Sequence, residues 1–202
     1  SFDVVNWVKH RAATTRVGHA GTLDPAAEGL LIVAVGREYT KRIDTIAGQD
    51  KEYIFEITFG TVTDTYDREG RILRETADFS LNKEQLLAVL EQFKGIQQQI
   101  PPMFSAIKKE GRKLYDLARQ GIDIPREPRT ITISELELQA FSGKTATVRT
   151  VCSKGTYIRS LCYDIGEKLG TGAYMSKLIR TRIGTFKLDT TCIIPESGRT
   201  SA

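Results

Sequence analysis

Hydrophobic and polar residues alternate along several stretches of the chain, a pattern typical of strands that bury one face. Tyr53 to Phe59 alternates without a break, and Ile131 to Leu138 and Thr145 to Cys152 follow the same period. We also predict a buried strand at Leu30 to Val35 and a final strand at Tyr174 to Leu188. Together these segments predict a sheet of several strands.

Three other segments repeat their apolar residues with helical spacing. Phe2 to His10 predicts a short amphipathic helix, and Asn82 to Lys94 predicts a second one that opens with a capping box formed with Gln85. Tyr157 to Leu169 predicts a third helix that ends at a glycine. Because strands and helices do not alternate strictly, we assign the chain to the α+β class, as a single domain with a mixed, largely antiparallel sheet flanked by helices.

The composition is that of an ordinary globular protein, with 40% hydrophobic and 27% charged residues among 202. Its longest apolar run is far shorter than the roughly 20 residues that span a bilayer, so we expect no membrane segment. The chain has three cysteines without CxxC spacing: Cys152, Cys162 and Cys192. An odd number without such spacing predicts small buried thiols in a reducing compartment. We therefore expect a cytoplasmic protein with neither a disulfide frame nor a metal site.

The net charge is only +4, but it is unevenly distributed. The segment from Lys108 to Arg129 holds seven basic and four acidic residues, and thus most of the excess positive charge. Such a patch can bind phosphate groups and make the affinity for a nucleic acid dependent on salt. The same charges would equally suit a solvated loop or helix face, so the residues by themselves leave both interpretations open.

The glycine-rich segment from Gly18 to Gly29 places an aspartate directly before a proline. Pro25 disfavours helical backbone at Asp24, so this carboxylate should lie at a strand end or in a turn. The glycines permit another backbone or a ligand to approach closely. Asp24 could be a nucleophile, a general base or a metal ligand, or it could cap the turn that follows.

A second unusual feature is Arg159, which the predicted helix places in its first turn, where the helix dipole disfavours a cation. A residue that breaks a local rule needs a compensating partner, and a carboxylate such as Asp24 is the obvious candidate. A bidentate pair would fix the orientation of that carboxylate. The alternative is a surface arginine that the helix tolerates, just as Tyr53 on its alternating strand could be a core aromatic residue.

The glycine-rich segment, which reads GHAGTLDPAAEG, resembles the GHxGxLDPxAxG signature of the bacterial tRNA pseudouridine-55 synthase (TruB) family. Later motifs follow in the family's order, up to about Leu188: Lys51-Glu52-Tyr53, Ser105-Ala106-Ile107-Lys108, Gly155-Thr156-Tyr157-Ile158-Arg159 and Leu178-Ile179-Arg180. The resemblance implies a pseudouridine-synthase-like fold and an isomerase that converts uridine 55 in the T loop of tRNA to pseudouridine.

The resemblance also implies roles for the matching residues. Asp24 would be the catalytic aspartate that attacks the flipped nucleotide, and Arg159 would be its paired arginine. Tyr53 would stack on the target base and take part in removing the proton from C5. Three further residues would contact the substrate in the pocket: His19, Tyr157 and Leu178. The family's chemistry implies no cofactor and no metal.

The basic segment matches an insertion, at about residues 97–130, that grips the T stem-loop in this family. The resemblance therefore favours RNA contact over a solvated face, with basic side chains positioning phosphates. The RNA-binding residues that we expect are Lys108, Arg112, Lys113, Tyr115 and, on the last strand, Arg180. Compared with the family, we expect the chain to lack an N-terminal KPxG segment and a C-terminal RNA-binding extension.

Two other functions remain open at the level of sequence. A tRNA-folding chaperone would need the same basic grip but not the catalytic aspartate. A guide-RNA-dependent synthase, as in archaeal and eukaryotic relatives, would share the Leu23-Asp24-Pro25 core. The insertion favours a stand-alone enzyme, so we expect a monomer that acts on tRNA without a protein partner.

Overall fold

The computed structural model describes residues 1–109 and 111–188. Its helices are α1 (Phe2–Arg11), α2 (Arg37–Thr40), α3 (Ile43–Ala47), α4 (Lys83–Gln92), α5 (Leu114–Arg119) and α6 (Ile158–Leu169). Its strands are β1 (Val17–His19), β2 (Glu28–Gly29), β3 (Val33–Val35), β4 (Lys51–Phe59), β5 (Thr61–Thr63), β6 (Ile72–Glu75), β7 (Gly95–Gln99), β8 (Lys108–Lys109), β9 (Arg112–Lys113), β10 (Arg129–Phe141), β11 (Thr145–Cys152), β12 (Ala173–Ile183) and β13 (Phe186–Lys187).

The main sheet has the strand order β13-β12-β4-β11-β10-β7, and β2 adds to the outer side of β12. Neighbours in this order are antiparallel, whereas β2 runs parallel to β12. The predicted α+β class with a mixed, largely antiparallel sheet is therefore confirmed. Two-stranded sheets formed by β1–β3, β5–β6 and β8–β9 surround the main sheet.

The alternating strands bury one face against helices α4 and α6. On β4 this buried face consists of Tyr53, Phe55, Ile57 and Phe59. On β11 the period predicted from the sequence also holds, since Ala146, Val148, Thr150 and Cys152 are all buried. Leucines and isoleucines from the two helices complete the core: Leu86, Leu90, Leu161 and Ile165. The packing of this face explains why the period of two was readable in the sequence.

The opposite face of the sheet is polar and partly exposed. Arg149 on β11 lies at its centre and forms ion pairs with Glu52 at 2.7 Å, Glu135 at 2.6 Å and Glu137 at 3.1 Å. The hydrogen bonds from Arg149 to Glu135 and Glu52 raise the pKa of its guanidinium. Burial alone would raise the pKa of the Glu52 carboxyl group, but hydrogen bonds from Thr181 and Arg149 outweigh it, so that pKa is lowered. This network lies on the face of the sheet away from the helices.

Two of the predicted strands differ in the structure. Only Val33–Val35 of the apolar run from Leu30 forms a strand, because its partner is the short β1 at the periphery and not a central strand. The predicted strand from Tyr174 to Leu188 is a hairpin, since Gly184 takes a φ of +54° and the chain turns back from β12 into β13. Apolar content alone did not reveal either break.

The predicted helices are confirmed with small changes at their ends. Asn82 caps α4, and its side chain and that of Gln85 form the complete capping box. Gly170 ends α6 in the left-handed conformation. Cys152 and Cys162 are buried free thiols, and Cys192 lies outside the described residues. No helix in the described parts of the chain is long and apolar enough to cross a membrane.

The basic segment forms a small substructure on the edge of the main sheet. Strands β7 and β10 pair side by side, with Gln99 opposite Arg129, so the chain between them leaves the sheet and returns to the same place. This excursion, residues 100–128, contains the β8–β9 hairpin and helix α5. It has an apolar cluster of its own, formed by Met103, Leu114 and Leu117. We refer to residues 100–128 as the insertion.

Candidate active site

The loop that carries Asp24 is shaped by a glycine and a proline. Gly29 has a φ of +99°, and a side chain there would overlap the backbone of Arg180, because β2 pairs directly with β12. The Asp24 carbonyl accepts a hydrogen bond from the Ala27 N–H at 3.0 Å, so Pro25 occupies the second position of a turn. The backbone of Asp24 thus belongs to the turn, and its side chain is free for another partner.

That partner is Arg159 in the first turn of α6. Its Nε lies 2.9 Å from Asp24 Oδ2, and its Nη2 lies 3.1 Å from Asp24 Oδ1, which makes a bidentate pair. The predicted pairing is therefore present, and Asp24 is not a helix cap. The Arg159 side chain is 6% exposed and the Asp24 side chain 34% exposed. The arginine is buried behind the carboxylate, which remains open to solvent.

The remaining donors of the Arg159 guanidinium are bound to backbone carbonyls. Nη1 donates to Thr65 at 3.1 Å, and Nη2 donates to Phe104, at the start of the insertion, at 2.9 Å. A second carboxylate, that of Asp67, lies 3.7 Å from Nε. A buried arginine needs such a complete set of acceptors, because an unpaired buried charge is strongly destabilising. The guanidinium is therefore fixed on several sides, and its fork fixes the Asp24 carboxylate in turn.

A cavity of about 670 Å³ opens beside the Asp24 carboxylate. Its walls include the side chains of Tyr53, Tyr157 and Leu178, so three of the residues expected around the substrate are brought together with Asp24 and Arg159. Burial raises the pKa of Tyr53 to about 12 and also raises the pKa of Tyr157. Both phenols are therefore neutral near pH 7. A carboxylate, two aromatic rings and an apolar wall surround one space of ligand size.

The insertion forms one rim of this cavity. Lys113 and Tyr115 line it, whereas Lys108 and Arg112 lie on the β8–β9 hairpin outside its wall. Arg119 also lines the cavity, with its guanidinium carbon 4.5 Å from the centre of the Tyr115 ring. A cation stacked in this way is partly ordered before any ligand arrives. Two of the four RNA-binding residues expected on the insertion thus reach the cavity.

The sequence that builds this site matches the models of a known protein family. A model described as TruB family pseudouridylate synthase, N terminal domain, matches residues 9–158. The chain belongs to the TruB family. A second model, the tRNA pseudouridylate synthase B C-terminal domain, matches residues 159–194. The Asp24–Arg159 pair therefore joins the two matched segments.

Curated relatives from the TruB family cover nearly all of the chain. It is 50% identical over 187 residues to tRNA pseudouridine synthase B of Clostridium perfringens, which is 92% of this chain and 63% of the relative. It is 47% identical over 189 residues to the protein of that name from Clostridium tetani, covering 94% and 65%. The chain thus spans slightly less than two thirds of the length of these relatives.

Solved structures similar to this TruB family chain include a Cbf5-Nop10-Gar1 complex, with a TM-score of 0.71 and 31% identity over 93% of this chain and 46% of the other. An H/ACA RNP bound to a substrate RNA containing 2'-deoxyuridine gives a TM-score of 0.68 and 28% identity, over 95% and 46%. These similarities confirm the predicted fold class.

Two further residues of this TruB family chain were expected to bind substrate or RNA, and their surroundings differ. Arg180 is 1% exposed, and its guanidinium donates to the carbonyls of Leu30, Thr22 and Gly21 at 2.8, 3.4 and 3.0 Å. These hydrogen bonds tie Arg180 to the Asp24 loop. Arg180 also lines the cavity, so its contact with RNA stays a prediction. His19 lies on β1 outside the cavity wall, and burial lowers its pKa.

Several cavity residues escaped the sequence reasoning. Asp67 was read only as part of a turn, but its Oδ1 accepts hydrogen bonds from the Thr65 hydroxyl at 2.6 Å and the Glu69 N–H at 3.0 Å, while Oδ2 faces Arg159. Lys51 is buried in the cavity wall, and its Nζ donates to the Ala47 and Gln49 carbonyls. The available signal for Asp67 was the threonine two positions before it, because an aspartate in a turn often bonds to groups two residues away.

One further wall residue has an unsatisfied side chain. Ser105 is buried, and its Oγ has no hydrogen-bond partner in the described parts of the chain. Burial raises the pKa of Tyr157, and the nearby Ser105 hydroxyl offsets part of that rise. Among residues 1–109 and 111–188, no three His, Cys, Asp or Glu side chains form a group that could hold a metal ion.

Proposed function

We propose that this protein is a tRNA pseudouridine synthase that isomerises a uridine of the T loop, at position 55, to pseudouridine. The observation that carries the proposal is the bidentate Asp24–Arg159 pair facing a cavity walled by Tyr53, Tyr157 and Leu178. Membership of the TruB family and relatives named tRNA pseudouridine synthase B support it.

The cavity suits a flipped nucleotide. Its volume of about 670 Å³ falls within the range of small-molecule sites and leaves room for a base with its ribose. A base that enters it must first leave its stack, which costs a few kcal/mol. Stacking on an aromatic side chain returns roughly 1–3 kcal/mol per base, so Tyr53 and the apolar wall at Leu178 offset much of that cost.

The chemistry assigned to the site conserves every atom of the uridine. The bond between N1 and the ribose C1′ breaks, the base turns, a bond forms between C5 and C1′, and the proton on C5 is lost while N1 gains one. Asp24 supports cleavage as a nucleophile whose orientation Arg159 fixes. Burial raises the pKa of Tyr53 to about 12, so its phenol is neutral. We therefore propose stacking on the base as the main role of Tyr53.

We further propose that the insertion grips the T stem-loop, with Lys113, Tyr115 and Arg119 at the cavity rim and Lys108 and Arg112 on the outer hairpin. Basic side chains would position phosphates, and the stacked Tyr115–Arg119 pair could face a base or the backbone. We propose a monomer that needs no protein partner and acts in the cytoplasm, where tRNA is found.

The direct test is to incubate the purified protein with an unmodified T stem-loop and map pseudouridine by carbodiimide-dependent reverse-transcription stops. We expect a stop at the target uridine for the wild type and for Asp78→Asn, a control at an exposed aspartate. Asp24→Asn should bind the RNA but give no stop. Appreciable turnover by Asp24→Asn would refute the assigned mechanism.

A guide-dependent synthase is the alternative favoured by one observation, the similarity to solved structures of a Cbf5-Nop10-Gar1 complex and of an H/ACA RNP. The bare stem-loop assay separates the two, because a stand-alone enzyme needs no added RNA or protein. Activity that appears only with a guide RNA would favour the alternative. If Asp24→Asn still promotes tRNA folding, chaperoning accompanies catalysis.

A further inference from the structure

Strand β7 ends in three consecutive glutamines that the sequence cannot tell apart, but the structure gives them different environments. Gln97 and Gln98 donate near the surface, to the Gln92 and Lys94 carbonyls and to the Thr130 hydroxyl respectively. Gln99 is 4% exposed. Its carboxamide is directed to the residue before α6.

The carboxamide of Gln99 binds both polar groups of a single residue, Tyr157. Its Oε1 accepts the Tyr157 N–H at 2.8 Å, and its Nε2 donates to the Tyr157 carbonyl at 3.1 Å. Two residues paired on antiparallel strands exchange the same two hydrogen bonds through their backbones. Here the carboxamide side chain of Gln99 takes the place of one backbone. Because Tyr157 is the residue before α6 and has no side-chain cap interaction, Gln99 provides the anchor for the start of this helix.

Two more hydrogen bonds extend the same contact toward the catalytic pair. The Ser160 hydroxyl donates to the Ile100 carbonyl at 2.9 Å, and Arg159 Nη2 donates to the Phe104 carbonyl at 2.9 Å. The start of the insertion is therefore fastened along the first turn of α6. Arg159 lies in the middle of this contact. It holds Asp24 with its Nε and with the same Nη2 that donates to Phe104.

We propose that Gln99 is a positioning residue, which holds the Tyr157 peptide so that the Tyr157 ring lines the cavity and Arg159 meets the Asp24 carboxylate with its fork. The inference rests on the proposed function and assigns to that site a residue that does not itself line the cavity but binds Tyr157, which does. The Tyr157 carbonyl would keep the Leu161 N–H at 3.1 Å, but loss of the carboxamide would leave the Tyr157 N–H unpaired, so the turn must shift or admit water. A displacement of about 1 Å at a catalytic group can lower a rate about 100-fold.

The test compares Gln99→Leu with the matched control Gln98→Leu, since both change the same residue type on the same strand. We expect Gln99→Leu to lower the single-turnover rate on an unmodified T stem-loop by about 10- to 100-fold, with the dissociation constant for RNA changed less than about threefold. Gln98→Leu should stay within about twofold of the wild type in both. Gln99→Glu keeps the acceptor for the Tyr157 N–H and should recover part of the rate.

A readout independent of activity is hydrogen exchange at the Tyr157 amide, followed by NMR, which should become faster in Gln99→Leu and stay slow in Gln98→Leu. If the wild type makes no pseudouridine, the proposed function fails, while this exchange still reports whether Gln99 holds Tyr157. Equal rates for the two leucine variants would overturn the proposal. A parallel loss of rate, RNA affinity and thermal midpoint in Gln99→Leu, with no recovery in Gln99→Glu, would also overturn it, because Gln99 would then be merely structural.

Discussion

Arg159 donates to both oxygens of the Asp24 carboxylate, although 135 residues separate them in the chain. One residue stands in a turn beside a peripheral sheet and the other in the first turn of a helix on the main sheet. This ion pair explains two unusual local features. Asp24 precedes a proline but does not cap a helix, and Arg159 lies at the end of a helix where the dipole disfavours a cation.

We expect Arg159→Lys to reduce the single-turnover rate by at least about 100-fold, because an ammonium cannot hold both carboxylate oxygens in one plane. It would also leave the Thr65 and Phe104 carbonyls without their donors. The matched control is Arg149→Lys, which makes the same exchange in the ion network on the polar face of the sheet. Single-turnover kinetics measure the rates. Comparable losses in both variants would show that the geometry of the Asp24 pair is not decisive.

The buried phenol of Tyr53 should make the fold sensitive to alkali. Burial raises the pKa of Tyr53 to about 12 from an ordinary value of 10.0, so the folded state favours the neutral form. The associated stability is present below pH 10 and is lost as the pH rises toward about 12. Tyr53→Phe should therefore unfold at a higher pH than the wild type, as followed by circular dichroism. Superimposable alkaline unfolding curves would contradict the assignment.

The buried carboxyl group of Asp164 on α6 should make the stability of the protein depend on pH between acid and neutral conditions. Burial, and to a smaller extent the charge of Glu167, raises its pKa from 3.8 to about 6. The associated stability is complete below pH 3.8 and is lost as the pH rises through about 6, so at neutral pH the buried charge is a cost. We expect Asp164→Asn to raise the thermal midpoint by a few degrees near pH 7.5, and the gain to vanish near pH 4. An exposed control, Asp44→Asn, should show neither effect.

The basic rim of the cavity should determine RNA affinity and its dependence on salt. Lys113→Ala and Arg119→Ala should each weaken binding of the T stem-loop and reduce the slope of log K against log salt by up to about one. Lys144→Ala is the control, since this exposed lysine precedes β11 at the end of the sheet away from Lys51 and Tyr53. Fluorescence anisotropy titrations at several salt concentrations give the slopes. Equal slopes in all variants would show that Lys113 and Arg119 of the insertion do not contact RNA phosphates.

The strands and helices with strong local signals were predictable. The alternation from Tyr53 to Phe59 and from Thr145 to Cys152 reports one buried face, and the Asn82–Gln85 capping box is made within a single turn. Predictions failed where the outcome depended on a distant partner. The run from Leu30 is strand only at its end because its partner β1 is short.

The sequence by itself determined the alternating core, the helix ends, the turn at Asp24 and the motifs that reveal the family, since each of these depends on residues close together in the chain. The sequence named Asp24 as a candidate partner of Arg159, and the tertiary structure decided that the two meet. Only the tertiary structure decided that Asp67 lies 3.7 Å from Arg159 and that Gln99 and not Gln98 holds Tyr157. The physical reason is that a hydrogen bond between distant residues depends on where the sheet and its helices place them, and local patterns carry no information about that placement.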